Sequence, residues 1–312
     1  AGARNYADTA IITICRFSGE GSDRTSTFDK SKQQDSQKLF ENGDFYLSDA
    51  EQSMVEKVKK YFDKIIVILN VGGMVDTEWF HEDEKLSSVL LALQGGMEGG
   101  NAAAELLCGL GNPSGKLCDT YAKRLEDYPS SHNFHESETY VEYTEDIYVG
   151  YRYFETIPGA AAKVNYPFGY GLSYTDFTWS VTEARNELSE QILIRISVTN
   201  TGSMAGKEVL QVYAEAPKGK LGKPARVLMG FQKTRLLQRG ETELLTIRFP
   251  VSSMASFDDL GKIAKSAYVL EEGDYRFYIG TSVRDAEPIE YTYSIPEAIV
   301  TEQLTSRIAP CQ

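Results

Sequence analysis

The chain has 312 residues, 42% of them hydrophobic, which is enough for two ordinary domains that each bury a core. Its formal net charge of -13, with no basic run denser than Lys57/Lys59/Lys60, excludes a surface built for a phosphate backbone, so no nucleic-acid partner is expected. No run of about 18 apolar residues occurs, so no membrane-spanning helix is expected either.

Residues 8–15 (DTAIITIC) form a short apolar run rich in β-branched side chains, the pattern of a strand buried on both faces of a parallel sheet. Glycines follow at once. Ser48 then offers an N-cap with Glu51 three positions on, and Met54, Val55, Val58 and Phe62 recur at helical spacing, which predicts a helix over 49–62. Residues 65–71 (IIVILNV) predict a second buried strand, 88–93 a third, and 101–108 a helix that opens after a glycine-rich turn. This βαβα alternation predicts an α/β domain with a mostly parallel sheet over 1–175.

Beyond Asp176 the pattern becomes short alternating segments at 177–184, 191–199, 208–214, 225–234, 243–249 and 274–281, separated by turn residues. They predict an all-β sandwich of the immunoglobulin or fibronectin kind over 176–294, without the paired cysteines of antibody domains. Residues 295–312 read as a C-terminal tail or linker, with a short helix at 301–305 closed by Pro310.

Few side chains carry a chemical signal. Cys15, Cys108, Cys118 and Cys311 lack CxxC spacing, so neither a disulfide framework nor a zinc site is expected, and His132-x-x-His135 has no third ligand nearby. The glycine-rich stretches at 95–100 (GGMEGG) and 109–116 (GLGNPSGK) miss the spacing of nucleotide-binding loops and read as tight turns, so no cofactor is expected. The only Asn-x-Ser sequence, at 112–114, is disqualified by its proline, which points towards a bacterial, cytoplasmic setting. At the carboxyl end of the first strand, Glu20 stands between Gly19 and Gly21. Open α/β sheets bind ligands at that edge, so Glu20 is either a presented carboxyl or a solvated turn residue. Residues 143–153 (YTEDIYVGYRY) interleave aromatics with Glu145, Asp146 and Arg152, as a ligand-facing wall or as a strand with a buried charge pair.

Several of these stretches stand together in one known order. SGEGSDR at 18–24 and FYLSDAE at 45–51 are followed by NPSGKL at 112–117, YTEDIYVGYRY at 143–153 and PFGYGLSY at 167–174. VTNTG at 198–202, GKEV at 206–209 and LMGF at 228–231 come after them. Over residues 8–281 the chain resembles glycoside hydrolase family 3, in its half made of an α/β sandwich domain and a fibronectin III-like module. The resemblance implies part of an exo-acting retaining β-glucosidase that hydrolyses nonreducing-end β-D-glucosides, oligosaccharide or aryl. It implies Glu20 as general acid/base, with Phe17 and Ser18 beside the substrate. Glu145 is the runner-up for the acid, and the resemblance gives it a bracing role between domains instead. The family's nucleophile is an Asp in a Ser-Asp-Trp-like motif on a (β/α)8 barrel, and no such motif occurs here, since Asp49 follows Ser48 but precedes Ala50. The chain also opens at the counterpart of the second strand of that family's α/β domain. A barrel on another segment or chain is therefore the expected partner, and the isolated chain is expected to be inactive. Alternatives are a β-xylosidase of the same family and a noncatalytic carbohydrate-binding or interaction module.

Overall fold

A computed structural model describes residues 2–17, 40, 42–134, 137–188, 190–305 and 307. Ser18, Glu20, His135, Pro310 and Cys311 lie outside them. The chain forms two compact units: Ala1–Gly111, Tyr121–Glu145 and Ala162–Tyr166 make the first, and Asn112–Thr120, Asp146–Ala161 and Pro167–Gln312 the second.

In the first unit, β1 (Thr9–Arg16), β2 (Lys64–Val71) and β3 (Ser88–Leu91) form a parallel sheet in that order. Helix α1 (Asp49–Tyr61) starts where the sequence signals it: the Ser48 side chain accepts from the Glu51 amide, and Glu51 accepts from the Ser48 amide. Ile12 and Ile14 of β1 share a core with Ile65, Val67 and Leu69 of β2 and with Val55 of α1. Each such side chain is worth roughly 1.5–3 kcal/mol when fully buried.

The expectation that these strands are buried on both faces is corrected. Only alternate residues of β1 are buried, and Ile11, Thr13 and Cys15 are exposed, with Ile11 at 56%. The opposite face carries Ile66 and Ile68, half-buried, beside Ile11 and Thr13 in register. Past α2 (Glu78–His81) and β3, helix α3 (Gly99–Leu107) has no buried residue. The glycine turn expected ahead of it is required by geometry, because a Cβ on Gly95 would lie 2.7 Å from the Gly99 Cα. The pair β4 (Tyr121–Ala122) and β5 (Val164–Tyr166) is antiparallel.

Among its described residues the second unit holds α4 (Tyr151–Thr156) and ten strands. Of the two readings left open for 143–153, a ligand-facing wall or a strand, the strand does not form: turns are followed by α4. β6 (Phe177–Glu187), β7 (Gln191–Asn200) and β10 (Thr242–Pro250) form one antiparallel sheet, ordered β10-β7-β6. β8 (Val209–Glu215), β9 (Val227–Lys233), β13 (Gly273–Gly280) and β14 (Glu287–Ile295) form another, ordered β14-β13-β8-β9. Their inner faces share one core in which Ile194 and Ile196 meet Leu210, Val212, Leu245 and Phe277. A third small sheet joins β11 (Ser256–Asp258), β12 (Ala267–Leu270) and β15 (Ile299–Gln303). β15 corrects the helix expected over 301–305: its Ile299, Val300 and Thr301 are β-branched, and Ile299, Val300, Glu302 and Gln303 pair antiparallel along β12.

Candidate active site

Arg16 closes β1 on the face that buries Ile12 and Ile14, and it is itself only 5% exposed. Its guanidinium donates to both carboxylate oxygens of Glu51 at 2.8 Å. The remaining donors go to main-chain carbonyls: Nε to Asp44 at 2.6 Å, Nη1 to Cys15 at 2.7 Å and Nη2 to Tyr46 at 3.0 Å. Burial works to raise the Glu51 carboxyl, but Arg16 and the Ser48 donors outweigh it and hold that group below its ordinary range.

The loop after β2 comes to the same edge, where the Asp76 amide donates to the Phe45 carbonyl at 2.8 Å. Burial pushes the Asp76 carboxyl up, helped by the neighbouring Glu78 charge, although the Glu78 amide donates to it at 2.9 Å. Tyr46 points its hydroxyl at Glu126 Oε2, 3.0 Å away, and accepts from the Leu125 amide at 3.1 Å. The carboxyl end of the parallel sheet is therefore a braced edge, of the kind where α/β folds present ligand-binding groups.

Of the residues singled out in the sequence, Phe17 leaves this edge 75% exposed. Ser18 and Glu20 lie outside the described residues. Glu145 belongs to the first unit and is half-buried, and that burial raises its carboxyl. The bonds of Arg16, Glu51 and Tyr46 run to other residues, so Glu145 is not part of this brace. Among the described residues no group of three His, Cys, Asp or Glu could hold a metal ion. None of their helices is long and apolar enough to cross a membrane.

Residues 1–174 match the glycosyl hydrolase family 3 C-terminal domain, and residues 208–283 match a fibronectin type III-like domain. The chain belongs to glycosyl hydrolase family 3. This family 3 chain is 54% identical to Beta-glucosidase A of Butyrivibrio fibrisolvens over 99% of its own length, covering 40% of that protein. It is 41% identical to a Beta-glucosidase of Ruminococcus albus, again over 99% of the chain and 30% of the relative. Among solved structures, it superposes with a TM-score of 0.89 on a beta-glucosidase from Paenibacillus barengoltzii, at 44% identity, covering 100% of this chain and 33% of that one. Beta-glucosidase 3B from Thermotoga neapolitana in complex with glucose gives 0.80 at 36% identity, over 96% of this chain and 39% of that one. The family 3 chain thus spans two fifths or less of these relatives.

Sequence reasoning missed Arg16, Tyr46 and Asp76 at this edge. One signal for Arg16 was available: an arginine stands where the alternation of the strand demands another apolar side chain.

Proposed function

We propose that this chain is the part of an exo-acting retaining β-glucosidase that supplies the general acid/base, Glu20, while a (β/α)8 barrel on another segment or chain supplies the nucleophilic Asp. The observation that carries this reading is 54% identity to a β-glucosidase over 99% of the chain, with only 40% of that relative covered. Both relatives are β-glucosidases by name, which favours glucosides over xylosides. The position of Glu20 in the sequence, four residues past the carboxyl end of β1, supports the placement of an acid at that edge.

In the reaction the barrel carboxylate attacks the anomeric carbon while the Glu20 carboxyl gives its proton to the departing glycosidic oxygen. Glu20, now ionised, takes a proton from water as the water oxygen displaces the enzyme carboxylate. The sugar leaves with its anomeric configuration retained, and both carboxyl groups return to their starting states. Bacterial origin fits the two relatives from Butyrivibrio and Ruminococcus.

Two measurements test the reading. The purified chain is expected to release no aryl aglycone above background, and substantial turnover by it alone would refute the need for a barrel. In the enzyme assembled with the barrel, Glu20→Gln is expected to lower turnover of poor-leaving-group glucosides by roughly 10²–10⁴-fold. Survival of that turnover removes Glu20 from the role.

A further inference from the structure

We propose that Arg16 is a positioning residue for Glu20, tying the end of β1 to the stretch 44–46 and to the start of α1. The proposal rests on the reading of Glu20 given above.

Arg16 occupies the buried face of β1, in line with Ile12 and Ile14, where an aliphatic side chain would fill the same space. Burying a charge there costs several kcal/mol before any bond is made, and well-packed apolar replacements of buried ion pairs are often neutral or stabilising. Stability alone therefore gives little reason for an arginine at this position.

The bonding pattern gives a better one. A plain ion pair needs only Glu51. Here three of the five donated bonds end on main-chain carbonyls, one on Cys15 at the end of β1 and two on Asp44 and Tyr46 just ahead of α1. The ring of Phe40 lies under the guanidinium, 4.4 Å from its central carbon to the ring centroid. Glu51, held by the same fork, is also the capping-box partner of Ser48 at the start of α1. One side chain thus fixes the end of β1, the stretch 44–46 and the start of α1 to each other. Lysine could not do this, because a single ammonium has three donors and no planar fork.

An acid that must sit within hydrogen-bonding distance of a leaving oxygen gains from such anchoring, since a misplacement of about 1 Å can cost roughly 100-fold in rate. Arg16 acts through Glu20 and is not itself a catalytic residue.

The test compares the wild type, Arg16→Lys, Glu51→Gln and Glu20→Gln in the barrel-assembled enzyme on an alkyl glucoside, which needs protonation of its leaving group, and on dinitrophenyl glucoside, which does not. Arg16→Lys is expected to lose about 10- to 100-fold in kcat on the alkyl glucoside and under about threefold in the glycosylation rate of the activated one. Glu51→Gln, which preserves shape, is expected to show the same selectivity in milder form. Equal losses on both substrates, or no loss, overturn the proposal, because a merely weakened fold does not distinguish leaving groups. If Glu20→Gln lacks the selectivity, the acid assignment itself fails and the proposal falls with it. If Glu20→Gln is selective and Arg16→Lys is not, only the positioning role fails. In the chain alone, amide exchange at 44–48 is expected to rise about tenfold or more in Arg16→Lys with β2 unchanged. Unaltered exchange at 44–48 also overturns the idea.

Discussion

Glu51 answers to two partners, a capping serine three residues away and an arginine 35 residues away, and only the first was legible in the sequence. The capping pattern is a local spacing, so it can be read from adjacent letters. The ion pair depends on the sheet bringing the end of β1 beside α1, which no local spacing encodes. Its pH dependence follows from the sign of the shift. The folded Glu51 carboxyl lies below its ordinary value of 4.5, so its stabilisation is complete above that value and is lost as pH falls through the folded one. Glu51→Gln is expected to cost roughly 3 kcal/mol at pH near 7, the lower end for breaking a buried pair because Glu51 keeps some contact with water. Denaturant titrations of the two proteins should show that gap closing at acidic pH. A gap that stays constant or widens there would mean that Glu51 is not held ionised by Arg16.

Among the elements, most of the segments with a strong period were legible and most of the short ones were not. β1, α1, β2 and the six alternating segments of the second unit lie where periodicity puts them, with ends that differ by a few residues. β11, β12 and β15 escaped because their residues are few, and β12 finds its second partner, β15, some thirty residues downstream; β14, nine residues long, was missed as well. In β15 the polar letters TEQ suggested a helix, yet an edge strand tolerates polar side chains facing water. In the stretch 167–174 one glycine is required by a contact distant in sequence. A Cβ on Gly171 would lie 2.2 Å from the Gly115 carbonyl oxygen, a backbone atom that cannot swing away. Gly171→Ala is therefore expected to destabilise the second unit by about 1–3 kcal/mol, as overpacking does. A melting temperature equal to wild type would show that this contact relaxes freely.

Taken over the whole chain, composition and motif order were enough to reach the family, while the face of the sheet was misread for a physical reason. Apolar residues at both parities of β1 and β2 describe strands covered on two sides, and the described residues cover one. The contrast predicts unequal mutational costs for neighbouring isoleucines. Ile14→Ala is expected to cost about 2–5 kcal/mol in this chain, and Ile11→Ala under about 1 kcal/mol. Equal costs from urea unfolding would mean that the second side is filled after all. Cys15 stands on that same open side. Its thiol is consequently a built-in reporter: a maleimide should modify it readily in the lone chain, and anything that later settles over those isoleucines will announce itself as a slower labelling rate.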